Sequence, residues 1–169
     1  MIGALRGTAQ SEQSEPTMKV VLAAILWLAP HLGADTSKVY AGLITGHAED
    51  AKLDPLLVVA IIHLESEFKA RIKSRTNDYG LMQVHVSRTT FRRYRGREHL
   101  LYDPDRNIRC GIKLLKAWKA YHERKCSHDH KWWEHYNHGV RILNRGPRAG
   151  YGDRVDAIYQ LLQTRFQAT

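Results

Sequence analysis

From Asp54 to Leu64 the chain reads D-P-L-L-V-V-A-I-I-H-L, and no other stretch constrains its fold as tightly. Asp54 is a helix N-cap, and Pro55 suits the first helical position, where an absent N–H is no loss. Apolar residues follow on every side instead of along one stripe, so this helix is predicted to be buried nearly all round by other elements. Acids do not normally belong in such a helix. Yet Glu65 and Glu67 flank Ser66 in its last turn, where unpaired carbonyls make the field negative and Ile61, Ile62 and Phe68 exclude water. Both effects disfavour a carboxylate and raise its pKa. Two residues turn a helix by about 200°, so one acid faces inward and the other outward, and the pattern leaves open which. A carboxylic acid kept protonated near neutral pH is what general acid catalysis on an acetal requires.

The rest of the chain reads as helices that can surround that one. Asp35, Thr36 or Ser37 caps a helix ending near Asp50, with Val39, Tyr40, Leu43 and Ile44 at helical spacing. Ala70 to Tyr79 is a polar loop leading into Gly80-Leu81-Met82-Gln83. Ser87 caps a short helix through Arg93. Asp103 or Asp105 caps a longer one to about Arg124, with Ile108, Ile112, Leu115 and Trp118 inside. Lys131 to His138 is a short helix stopped by Gly139. Gly146-Pro147 and Gly150 mark a turn region, and Asp153 to Phe166 closes the chain as an amphipathic helix. No convincing alternating strand is visible. Gly111 lies inside a predicted helix, where glycine costs about 1 kcal/mol relative to alanine, and its expected role is close packing against the Glu65 helix.

The first residues read differently. Met1 to Thr17 is polar and aperiodic, a disordered or untranslated leader. Met18 is the alternative start to Met1, followed by Lys19, an apolar run from Val20 to Ala29, and a breaker with small residues from Pro30 to Ala34. That is the layout of a secretory signal peptide, too short to span a bilayer in the usual way, with an N-terminal core helix as the alternative. The expected organisation is therefore leader plus signal peptide over 1–34 and one mainly α domain over 35–169, exported to the periplasm or cell envelope, with no stable membrane span after processing.

Net charge is +9, which favours polyanions without choosing among them. The arginines lack the aromatic interleaving of a single-strand platform and fit no helix-turn-helix or zinc-finger spacing, so nucleic acid is not the expected partner.

Four motifs carry a resemblance. Glu65-Ser66-x-Phe68 with Ser74, then Gly80-Leu81-Met82-Gln83, then Asp103-Pro104-x-x-Asn107-Ile108-x-x-Gly111, then Tyr136-Asn137-x-Gly139 stand in the order and roughly the spacing of soluble lytic transglycosylases, relatives of goose-type lysozyme. The chain resembles that family over more than half its length. The resemblance implies a lysozyme-like single domain acting on peptidoglycan glycan strands, with no metal and no cofactor, as a monomer. It selects Glu65 as the catalytic acid. It assigns Ser74, Gly80, Met82 and Gln83 to the sugar cleft, and Tyr136 and Asn137 to orienting the acid. It also implies cleavage without water, to a 1,6-anhydro product. A hydrolytic muramidase and an inactive glycan-binding or assembly protein are the alternatives, in wall turnover, secretion or conjugation machinery, or a phage particle. Asp78 reads as a loop aspartate. Lys69, His135 and His138 depart from the family pattern and bear on loop shape and cleft width.

Cys110 and Cys126 are not expected to pair. A helix continuous to Arg124 puts its end about 20 Å from Cys110, and the two residues from there to Cys126 cannot close that gap to the disulfide limit of about 7 Å between Cα atoms. Cys110 is predicted to be buried and Cys126 to be an exposed thiol. His122, Cys126, His128, His130 and His135 meet no fixed ligand spacing and read as a solvated polar loop, not a zinc or copper site. His63-Leu64-Glu65 lacks the P-C-x-x-C that an H-x-E deaminase site needs.

Overall fold

The computed structural model describes residues 6–126, 131–141 and 150–166, with the backbone alone for 6–14 and 141. Its helices are α1 (Arg6–Leu28), α2 (Ala34–Ala51), α3 (Pro55–Ser66), α4 (Pro104–Lys125), α5 (His135–His138) and α6 (Tyr151–Phe166), joined by short 3-10 turns. Two strands of two residues, β1 (Asp78–Tyr79) and β2 (Val84–His85), form an antiparallel hairpin with Asp78 opposite His85. They are too short to leave an alternating pattern in the sequence.

The predicted central helix is α3. Asp54 accepts from the Leu56 N–H at 2.8 Å, and every side chain from Leu56 to Ile62 is buried. Helices α1, α2 and α6 pack around it, and α4 packs on the outside of α2. Two tyrosines of α6 hold α3 at both ends. Tyr159 donates to Asp54 Oδ2 at 2.7 Å and Tyr151 donates to Glu65 Oε1 at 2.7 Å. Eight residues return a helix to nearly the same face, so α6 lies antiparallel to α3.

Three readings need correction. The segment taken as a disordered leader is helical from Arg6, and α1 continues through Leu28 with Val21, Ala24 and Ile25 fully buried in the core. Its apolar run serves packing in this structure, a role that composition cannot tell from an export address. The Ser87 hydroxyl caps only a turn, accepting from the Thr89 and Thr90 N–H groups, and the helical turn that follows is the 3-10 segment Arg92–Tyr94. Helix α6 starts at Tyr151, two residues earlier than expected, which brings Tyr151 to Glu65. The turn at Gly146-Pro147 lies outside the described residues. Helix α4 is continuous to Lys125, and Cys110 and Cys126 are both free, as predicted.

Candidate active site

The last turn of α3 decides between the two acids. Glu67 (φ 50°) and Phe68 (φ 62°) are both left-handed, which ends the helix and reverses the chain. Glu67 is thrown outward, exposed and paired with Lys69 at 2.7 Å, while Phe68 folds back into the core. Glu65 therefore faces inward. Between them Ser66 is buried and donates to Leu81 O at 2.7 Å, tying the end of α3 to the following turn.

Glu65 sits half-buried at the floor of a cleft of about 730 Å³. Burial pushes its pKa up to about 7, against the opposing pull of the Tyr151 hydrogen bond; the nearby Asp78 charge adds to the rise and Arg154 opposes it. Asp78 shares the cleft and behaves oppositely. Burial pushes it up, but hydrogen bonds from Ser74, Thr76 and His85 outweigh that and hold it below the usual carboxylate range. The distances are 2.6 Å from Ser74 Oγ and 2.8 Å between His85 Nδ1 and Asp78 Oδ1. The site thus sets a carboxyl whose burial favours keeping its proton near one whose hydrogen bonds favour losing it, an arrangement that separates acid from charge-stabilising roles.

Gly80-Leu81-Met82-Gln83 forms the tip of the hairpin, and Asn107 of α4 holds it. The Asn107 side chain accepts from the Met82 N–H at 2.8 Å and donates to Tyr79 O and Leu101 O, each at 2.7 Å. Gly80 has φ 73°, and a Cβ there would collide with the Asn107 amide and with Leu101 O, so no other residue fits. Asn107→Ala strands three polar backbone groups in the interior. At about 1–3 kcal/mol per unsatisfied group, the expected loss is on the order of 3 kcal/mol or more, read as a lower urea midpoint with cleavage and stability falling together.

Gly111 makes a close approach, but to a different neighbour than expected. A Cβ there would overlap the Met82 side chain, so the glycine seats the hairpin and not α3. Met82 is accordingly fully buried and, with Gly80, stands behind the cleft wall instead of lining it. Ser74, Gln83, Tyr136 and Asn137 do line the cleft with Glu65. Ser74 is engaged in holding Asp78, and Gln83 Nε2 donates to Gly80 O at 2.8 Å. Tyr136 donates to Met82 O at 2.7 Å, so the hydroxyl on Glu65 is that of Tyr151, not of Tyr136. Tyr151 escaped the sequence reading because only the fold brings a residue next to a glycine turn under an acid far away in sequence. Asn107 stood in a quoted motif without an assigned role, and Asp78 was set aside as a loop residue.

The far wall carries Leu114, Trp118, His135 and His138. The Trp118 and His135 rings stack at 5.4 Å and 12°. His135 is fully buried and Cys126 half-buried, with Cys126 Sγ 3.4 Å from His135 Nε2, so these side chains are not the solvated loop that was expected. His128 and His130 lie outside the described residues. Among the described residues no helix is long and apolar enough to cross a membrane.

The helical architecture, small hairpin and acid-floored cleft define a lysozyme-like α domain. The model of the transglycosylase SLT domain family matches residues 42–150, well over half of the chain, and the chain belongs to that family. No curated protein and no solved structure matches it. Membership brings a lytic-transglycosylase type of function directed at peptidoglycan, and with it a place at the cell envelope.

Proposed function

We propose that this chain cleaves the β-1,4 bond between N-acetylmuramic acid and N-acetylglucosamine in peptidoglycan strands as a lytic transglycosylase, with Glu65 as acid and then base. The observation that supports it most is the single inward carboxyl of α3, raised by burial to about 7 and held by Tyr151. Protonated Glu65 donates its proton to the glycosidic oxygen as the C1–O bond breaks, and the substrate's N-acetyl carbonyl oxygen stabilises C1. The Glu65 carboxylate then takes the C6 hydroxyl proton, and the C6 oxygen bonds to C1. The 1,6-anhydro sugar forms, the proton is back on Glu65, and no water is consumed. Ionised Asp78 adds negative potential where C1 becomes cationic. Ser74 holds that charge in place, and Gln83, Tyr136 and Asn137 face the sugars.

Asp78 also motivates the second reading, a muramidase in which a second carboxylate activates water. Its oxygens already accept from Ser74, Thr76 and His85, which makes it a poor base and favours the anhydro route. Mass spectrometry of the products from purified peptidoglycan distinguishes them. Anhydro-muropeptides are expected; reducing ends would mean hydrolysis, and no products an assembly or binding role. Tyr151→Phe tests the support of the acid. Loss of the Tyr151 bond raises the Glu65 pKa further, so the alkaline limb of the pH–rate profile is expected to move upward while kcat falls about tenfold through poorer positioning. An unmoved limb would remove Tyr151 from the site.

Peptidoglycan lies outside the cytoplasm, so export of the chain is part of this proposal, with residues 18–34 as its address whether they are then removed or kept as α1. N-terminal sequencing of envelope-located protein separates removal near Ala34 from retention of α1, and burial of Val21, Ala24 and Ile25 favours retention.

A further inference from the structure

Beside the cleft, at the junction of α4 and α5, the chain places two imidazoles and a thiol together. The ligand atoms of His122, Cys126 and His135 all lie within 4.8 Å of one another. His122 and Cys126 are one turn apart at the end of α4, where the Cys126 N–H donates to His122 O at 2.9 Å. His135 comes from the first turn of α5 and meets Cys126 Sγ through Nε2 at 3.4 Å.

The ring of His135 is already set as a metal ligand sets it. Its Nδ1 lies 2.9 Å from Gly139 O, and only a protonated Nδ1 can satisfy that carbonyl. In the neutral ring the Nε2 lone pair then points at the thiol, and a bond from Nδ1–H of this kind is the outer hydrogen bond that fixes a ligating imidazole's tautomer. Stacking on Trp118 and edge contacts with Tyr121 and His122 hold the ring plane. In tetrahedral zinc coordination, bonds of about 2.3 Å to sulfur and about 2.0 Å to nitrogen give an S···N edge of about 3.5 Å. The observed 3.4 Å matches that edge, and the third donor, on His122, stands within 4.8 Å of both other ligand atoms.

We propose that His122, Cys126 and His135 form a Zn²⁺ site, with two imidazole nitrogens and the Cys126 thiolate as protein ligands and a water in the fourth position. Zinc takes the place of the thiol proton, which leaves to solvent. A set of two nitrogens and one sulfur suits zinc and excludes the oxygen-seeking calcium and magnesium. The half-buried positions of His122 and Cys126 leave the ion a way in. The ion would lock the end of α4 to the residue before Tyr136, whose hydroxyl supports the hairpin through Met82 O. Its role is thus to brace the cleft wall, apart from the chemistry at Glu65.

The test uses the untagged full chain, reduced and stripped of metal, titrated with Zn²⁺ against a chromophoric chelator. About one Zn²⁺ per chain is expected, with affinity lower by at least tenfold in Cys126→Ser and in His122→Ala. Circular dichroism checks that both variants keep their helix content. With Co²⁺ as the probe, a thiolate-to-metal charge-transfer band is expected in the near ultraviolet and lost in Cys126→Ser. Zinc held equally well by both variants, a cobalt complex without that band, or no zinc retained by the parent chain would each overturn the site. None of these readouts depends on cleavage of peptidoglycan.

Discussion

Glu65→Gln is expected to lose at least 10³-fold of peptidoglycan cleavage, within the span that general acid catalysis contributes, while becoming more stable than the parent chain at alkaline pH. Glutamine keeps the shape and still accepts from Tyr151, but it carries no proton to donate. The stability effect follows from the pKa, raised from 4.5 to about 7 on folding. Below about pH 4.5 the acid is protonated in both folded and unfolded chains, and it neither gains nor costs anything relative to that reference. Between the two values the unfolded chain gives up a proton that the folded one keeps, so the parent loses stability as pH rises. Above about 7 both are ionised and the deficit is complete. After discounting for the half-exposed position, removing it is worth about 2 kcal/mol at pH 8. Urea unfolding of the two chains at pH 5 and pH 8 reads this directly, alongside product analysis. Glu67→Gln should leave cleavage unchanged, because that side chain is outside the cleft. Retained cleavage in Glu65→Gln would move the acid elsewhere, and an equal stability difference at both pH values would mean that burial does not perturb Glu65.

Deleting residues 1–33 is expected to abolish cooperative folding of the remainder. Helix α1 packs mainly on α2, with further contact to α3 and α6, and Val21 and Ile25 are fully buried between them. Burying such side chains contributes about 1.5–3 kcal/mol each, and the faces of α2 and α3 they cover would be opened as well. A domain of this kind has about 5–15 kcal/mol in total. The end of α6 is tied to the same helix, with Arg165 over the Trp27 ring at 5.0 Å and Trp27 edge-on to Phe166 at 6.3 Å. A chain starting at Ala34 should therefore show a broadened transition in urea and bind an apolar dye. A sharp transition at the parent's midpoint would instead mark α1 as dispensable, as a cleaved address must be.

The contrast between α1 and α3 explains how far the sequence carries. Helix α3 is legible because its signals are local and agree: a capping aspartate, a proline at the first position, unbroken apolar residues and a sharp end. Helix α1 is not, because an apolar run after a lysine satisfies the rules of a signal peptide and of a core helix alike. The motifs placed Glu65, Ser74, Gln83, Tyr136 and Asn137 in one cleft, and in that sense most of the candidate site was readable. Met82 was misjudged because an apolar residue in a glycine turn gives no sign of which side of the wall it stands on.

What the sequence determined alone is the buried acid-bearing helix, the helical class, the family and the spacing that keeps Cys110 from Cys126. Those depend on periodicity, capping and helix rise, which act within one element. The tertiary structure decided which groups meet across elements: Tyr151 under Glu65, Asn107 on the Gly80 turn, Asp78 facing the acid, and His135 against Cys126. Each pair is far apart or unpatterned in the chain. Their contact depends on where whole helices dock, and docking is set by the sum of many weak side-chain fits that no single motif records.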